Sequence, residues 1–289
     1  MELATPITIH WDLPPDAADT GFLLRIAADI VDCRPLMLQL TSTASLPDPG
    51  LLAVLERFRG GAIAVSLTIP LAAWHDMACK NLGQSGVKEI LLAVERTDDL
   101  LARDGAWGGV AGLSCAVNSE NWRELPTLLA FCRRQGLGRL VLPMQRLYNG
   151  ESPFYLTAAE QRELADVLAA AGGAGGIGLT IHDPFLWRAF NPGVPFPQGG
   201  CQAANTMLSI ASDGGVFPCP TLPLRLGAIG SSPLKEIAAS AAKKEFRRRL
   251  LDAPAACREC AILAECRGGC RGRAYVMQGS LEEVDPACR

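Results

Sequence analysis

The residues of this chain best suited to chemistry are its cysteines, and they crowd towards one end. Of eleven cysteines in 289 residues, seven fall between positions 201 and 288. They read Cys201-x12-Gly214-x4-Cys219, then Cys257-x2-Cys260-x5-Cys266-x3-Cys270, then Cys288. Gaps of two or three residues let neighbouring thiolates turn back onto one metal centre, as metal knuckles and iron–sulfur loops require. A [4Fe–4S] cluster takes four thiolates, so seven divides into four and three. That is one complete cluster, and one whose last iron is open or bound by a different group. Four thiolates equally suit a tetrahedral zinc ion. Disulfides fit poorly, because the count is odd and residues 1–5 lack the basic and apolar pattern of a signal peptide.

The text around the cysteines is patterned as well. Leu208-Ser209-Ile210 leads into Asp213-Gly214, Val216-Phe217-Pro218-Cys219-Pro220 follows, and Cys266-Arg267-Gly268-Gly269-Cys270-Arg271 completes the cysteine run. Together these features resemble the SPASM domain found at the C-terminus of many radical SAM enzymes, over residues 201–289. The resemblance implies iron rather than zinc, and two [4Fe–4S] clusters. Cys257, Cys260, Cys266 and Cys288 would hold the distal one, and Cys201, Cys219 and Cys270 the proximal one. Relatives with a fully ligated proximal cluster place one more cysteine just before the first. None lies between Cys132 and Cys201 here, so a three-cysteine site is expected. Ala204 stands where the family often carries glycine.

The elements that must position these residues are legible upstream. Short runs rich in Val, Ile and Leu (residues 7–13, 36–40, 62–69, 89–94, 112–117 and 139–144) alternate with helical patterns. Those patterns cover 21–31, 51–58, 72–82, 98–102, 122–134 and 158–171. Thr157 and Glu160 give the last helix a capping box, and 177–181 adds an edge strand. Apolar strands separated by helices predict a parallel sheet with helices outside. Six units fall short of the eight of a closed barrel. The expected fold is therefore α/β, a partial (β/α)6 TIM-like barrel of the radical SAM type with a C-terminal cysteine-rich domain. The expected division is 1–183 for the barrel, 184–200 for an ordered bridge and 201–289 for the cluster domain. Pro184, Pro192, Pro195 and Pro197 are expected to exclude a regular element from the bridge. Residues 171–176 are glycine-rich but lack the Lys-Ser/Thr ending of a phosphate loop. In the tail, Asp213-Gly214 marks a hairpin that would return Cys219 towards Cys201. Ser232-Pro233 starts a helix ending in Lys243, Lys244, Arg247, Arg248 and Arg249. Its basic end reads as a solvated helix terminus, the alternative being a docking face for an acidic partner.

The barrel lacks what the resemblance would supply for catalysis. Radical SAM enzymes carry CxxxCxxC in the loop after the first strand, and residues 14–20 contain no cysteine. Cys33, Cys79, Cys115 and Cys132 are too far apart for that motif and read as buried small hydrophobes. Thr41-Ser42-Thr43-Ala44-Ser45 stands where the family's Gly-Gly-Glu-Pro would contact S-adenosylmethionine. His10, His75 and His182 are scattered. His182-Asp183, at a strand end, reads first as a satisfied structural histidine, the alternatives being a site pair or a neighbour of the proximal cluster.

A net charge of −3 and the lack of a basic, aromatic-studded stripe argue against nucleic acid. No apolar run reaches membrane-spanning length. Free thiols and clusters suit a reducing cytoplasm. The chain resembles the SPASM-domain protein of GeoRSP-type paired systems. That implies a non-catalytic iron–sulfur accessory of a radical SAM enzyme in peptide or cofactor maturation. It would bind substrate, such as a ribosomal peptide, or relay electrons, with no S-adenosylmethionine of its own. A stand-alone electron carrier or open-site cluster enzyme is the alternative, and a zinc-stabilised binding module the third reading.

Overall fold

The computed structural model describes residues 3, 5–15, 19–43, 48–74, 82–101, 107–148, 150–197 and 200–288. His75, Cys79, most of the helix expected over 72–82, and parts of the loops after the first two strands lie outside the described residues.

Strands and helices alternate as the sequence predicts. The strands are β1 (Thr8–Asp12), β2 (Met37–Thr41), β3 (Ala64–Pro70), β4 (Glu89–Val94), β5 (Gly112–Cys115), β6 (Arg139–Leu142) and β7 (Gly178–Ile181). Between them run α1 (Thr20–Cys33), α2 (Pro49–Phe58), α3 (Thr97–Leu101), α4 (Leu125–Gln135) and α5 (Ala158–Ala170). Asp48 and Thr157 cap α2 and α5, the latter with the predicted capping box to Glu160. All seven strands are parallel neighbours in sequence order.

Two features were not read from the sequence. The bridge contains α6 (Pro184–Phe190), where the prolines were expected to prevent one. Pro184 occupies the first turn, where its missing N–H costs nothing, and Asp183 caps the helix. The tail also enters the barrel sheet. Its hairpin of β8 (Met207–Ile210) and β9 (Gly215–Phe217) lays β8 parallel to β1, and β10 (Gly227–Ala228) pairs with β9. The sheet order is β10-β9-β8-β1-β2-β3-β4-β5-β6-β7.

Register sorts the side chains by face. Leu208, Ile9, Leu38 and Val65 pair across β8, β1, β2 and β3 in one buried apolar row, and Ile210, Trp11, Leu40 and Leu67 form a second. The intervening row is Ser209, His10, Gln39, Ser66 and Glu89, all polar. Since alternate residues face opposite sides, the apolar rows meet the helices and the polar row lines the inner face. The sheet is strongly curled. Six strand spacings would separate β1 from β7 by roughly 29 Å if flat, yet the His10 and His182 rings lie 6.3 Å apart.

The tail's helices are α7 (Leu234–Ala239), α8 (Ala241–Arg249), α9 (Leu263–Cys266) and α10 (Arg271–Gln278). The helix expected from Ser232 starts at Leu234 and breaks at Ser240, whose side chain caps α8. Its basic end is largely used internally. Lys243 Nζ donates to the Leu3 carbonyl at 2.8 Å, Arg248 and Arg249 pair with Glu245 and Glu282, and Arg247 is buried.

Because β8 joins the tail hairpin to β1 of the barrel, a cavity made in the tail should loosen the whole chain. Ile210→Ala is expected to lower the unfolding free energy by about 2–5 kcal/mol, measured by urea denaturation, with barrel and tail signals shifting together.

Candidate metal centre

Each tail cysteine is placed by a tight local turn. Cys201 precedes a loop whose carbonyls are gathered by Arg247 of α8: Nη1 donates to the Cys201 oxygen at 2.5 Å and the Ala203 oxygen at 3.3 Å. Ala204 lies in the left-handed region, at φ 54°. That conformation favours glycine, the residue expected here from the resemblance. Cys219 follows β9 and is buried, with Leu222 N–H closing a turn on its carbonyl at 3.3 Å. Cys270 sits after Gly268 and Gly269, both left-handed (φ 85° and 75°). A Cβ at Gly269 would stand 2.5 Å from Asp285 Cβ, so only glycine lets this turn approach the carboxylate. The Cys270 N–H donates to Asp285 Oδ2 at 2.6 Å.

The structure sorts the seven thiols into two sets. Burial pushes Cys219 well up, and the neighbouring Cys201 and Cys270 push it further. Burial likewise lifts Cys270 to about 12. These three line one cavity of about 350 Å³, between the β6 and β7 ends of the barrel and the tail. In the second set, Cys257 is raised by burial and then by Cys266 and Cys260. Cys288 is raised by burial and then by Cys266, Cys257 and Cys260. Cys266 also reaches the cavity wall, so the two sets are adjacent. Cys33, Cys115 and Cys132 are buried in the barrel, and burial lifts them to about 11, 12 and 11. They behave as small core residues.

Between the sets lies a buried ionic network that spacing alone does not reveal. Arg273 of α10 is 2% exposed and donates to both Asp285 oxygens, at 2.7 and 2.8 Å. Its remaining nitrogen bonds Asp183, the cap of α6. Asp285 also accepts from the Ala287 N–H, and its carbonyl accepts from the Cys288 N–H at 2.9 Å. One aspartate thus fixes a cysteine of each set. Arg271 is likewise buried and feels both Cys201 and Cys257. Its Nη2 donates to the Asp252 carbonyl, but its Nε has no partner among the described residues. A buried guanidinium nitrogen left open between two thiol sets fits an anionic group bound there, as thiolate-ligated clusters are. Among the described residues, no three His, Cys, Asp or Glu side chains come together as a single-ion site. The donor set fits iron–sulfur clusters.

At the barrel mouth, Arg146 binds Asp12 through two nitrogens, at 2.9 and 3.1 Å, and reaches the Thr41 hydroxyl at 3.2 Å. The Tyr148 and Ser209 hydroxyls share a hydrogen bond below it.

Comparison with known proteins agrees with this geometry. Residues 201–261 match the SPASM model, an iron–sulfur cluster-binding domain. Streptococcus suis SuiB superposes with a TM-score of 0.69 at 15% identity, over 100% of this chain and 78% of its own. The anSMEcpe enzyme with bound AdoMet and Cp18Cys peptide superposes at 0.67 and 16% identity, over 98% and 94%. The fold is the α/β partial barrel of radical SAM type with a C-terminal SPASM region. Among curated proteins, the AdoMet-dependent heme synthase of Methanosarcina barkeri (strain Fusaro / DSM 804) is 35% identical over 91 residues, 31% of this chain. That match spans about a quarter of the relative (25%).

Two outcomes follow from the network. Asp285→Asn leaves the Arg273 charge buried and half-compensated, and is expected to cost about 3–5 kcal/mol in urea unfolding. A loss under about 1 kcal/mol, the value of an exposed pair, would contradict this. Asp183 is held below the usual aspartate range. Burial alone would raise it, but Arg273 and the Phe185 and Leu186 N–H groups overcome that. A depressed native pKa gives stability that is present above about pH 4 and is lost as pH falls through the native value. Asp183→Asn should therefore flatten the acid limb of a stability–pH curve.

Proposed function

We propose that the chain is an iron–sulfur accessory protein, a non-catalytic partner of a radical SAM enzyme in peptide or cofactor maturation. In this reading Cys257, Cys260, Cys266 and Cys288 hold a distal [4Fe–4S] cluster. Cys201, Cys219 and Cys270 hold a proximal one. Residues 1–183 would form a degenerate barrel, 184–200 a bridge and 201–289 the cluster unit, whose strands β8–β10 extend the barrel sheet. The observation that carries the reading is Asp285, which fixes Cys270 through its carboxylate and Cys288 through its carbonyl. Clusters held on two thiol sets that share one residue would be neighbours, and electron relay is the chemistry such groups would supply when bound.

The chain's own residues do the rest. Arg247, Arg271 and Arg273 place buried positive charge around the sites and offset the negative charge that clusters bring. The cavity at the proximal set offers a surface to a substrate. SuiB has been crystallised with its precursor peptide SuiA and anSMEcpe with a peptide, and a ribosomal peptide is the substrate class this supports. The sequence has no CxxxCxxC anywhere, and at the mouth Asp12 is committed to Arg146. We therefore assign S-adenosylmethionine cleavage to the partner. Among the described residues, no helix is long and apolar enough to cross a membrane, and the cysteine chemistry suits the reducing cytoplasm. The cavity favours one second reading, an enzyme using an open iron of the proximal cluster as a Lewis acid.

The test is to co-express the chain with each radical SAM enzyme of its source genome. One of them should copurify with it, and omission of the chain, or Cys201→Ser, should reduce modification of the partner's substrate to background. No association together with undiminished turnover would overturn the proposal.

A further inference from the structure

Three cysteines leave one iron of the proximal cluster without a protein thiolate, and the surrounding cavity shows which side chain is free to meet it. Most polar groups on its wall are committed. Gln145 exchanges hydrogen bonds with the Phe154 backbone at 2.6 and 2.7 Å. Gln202 is engaged by Gly200 and Asn205. Thr221 donates to the Gln145 carbonyl at 3.0 Å. Asp183 accepts from Arg273 and from two backbone N–H groups. His182 also lines this cavity, half-buried, and makes no hydrogen bond to a described residue. Its ring meets only the edge of His10. Tyr155 is similarly unengaged, with its ring 5.8 Å from the Arg273 guanidinium. A phenol, however, must lose a proton of ordinary pKa about 10 before binding iron, whereas a neutral imidazole binds as it stands.

Position favours the histidine too. It sits one residue past β7 and directly before Asp183, whose bond to Arg273 draws this strand end to the turn carrying Cys270. The Arg273 backbone N–H in turn donates to the Cys270 sulfur at 3.5 Å. The nearby Cys266 is not the missing donor, since it groups with Cys257 and Cys288.

We infer that His182 is the fourth protein ligand of the cluster held by Cys201, Cys219 and Cys270. The inference rests on the cluster reading above. Three thiolates and one neutral imidazole carry one negative charge fewer than four thiolates, which raises the reduction potential of the cluster they hold. The imidazole also ties the cluster covalently to the barrel, so that a change at the end of β7 reaches the iron directly. The open-iron enzyme reading loses its vacant site.

The test uses the full-length chain, loaded anaerobically with iron and sulfide, reduced with dithionite and labelled with 15N at histidine only. Pulsed EPR is expected to show a strongly coupled histidine nitrogen on one of two clusters. His182→Ala should abolish that coupling. His182→Cys should abolish it while keeping the full iron content and lowering the midpoint potential of that cluster. His10→Gln should keep the coupling. A loaded wild-type chain without histidine coupling, or one whose coupling survives in both His182 variants, overturns the inference and leaves the cluster reading standing. A chain that takes up no iron overturns both.

Discussion

A buried guanidinium can persist only where its charge and its fork of donors are met, and Arg273 is the place where this chain makes that commitment. Desolvating it costs several kcal/mol unless good geometry returns the energy. Asp285 and Asp183 supply that geometry from opposite sides. Asp285 belongs to the last turn before Cys288, and Asp183 caps the helix that follows the barrel. One side chain therefore clamps the barrel's last strand, the Cys270 turn and the C-terminal cysteine into one unit. Two carboxylates facing one guanidinium leave the network a unit negative. Arg247 and Arg271, buried nearby, add positive charge beside the thiols.

The barrel's inner face has a complementary logic. A row of Ser209, His10, Gln39, Ser66 and Glu89 is polar because it does not meet the helices. Arg139 pairs with Glu89 at one end of this row at 3.5 Å, and Arg146 pairs with Asp12, two residues along β1 from His10, at 2.9 Å. His10 Nε2 is buried without a partner among the described residues, at the point where β1 meets the end of β7. Polar groups of this kind are costly in a core, so their survival in the lumen fits a face built to meet something other than hydrocarbon.

Much of this was legible in the sequence because the signals are local. The alternation of apolar strands with helices, the Thr157–Glu160 capping box and the Asp213-Gly214 turn each depend on a few neighbouring residues. The grouping of the cysteines depended on resemblance, since seven thiols can be divided in many ways. The remainder was illegible because it is made by residues far apart in the chain. Nothing in the text says that Met207–Ile210 will pair with Thr8–Trp11, 199 residues away by the register of Met207 with Thr8. Nor does it say that the basic run of α8 will turn Arg247 inward to hold the Cys201 carbonyl. Pro184 misled for a physical reason: proline forbids a helix interior but suits a first turn. The Arg-Gly-Gly-Cys-Arg run resembled a cluster loop, but only the fold shows that Gly269 makes room for Asp285.

The central claim is that the tail holds two separate iron–sulfur clusters on the two thiol sets. Its most direct test is the iron, acid-labile sulfide and zinc content of the anaerobically purified chain, read beside Mössbauer spectra. Two four-iron clusters predict about eight irons and eight sulfides per chain, with Cys257→Ser and Cys219→Ser each removing one spectral component. Zinc without iron, or a single cluster that either substitution destroys entirely, would contradict the account.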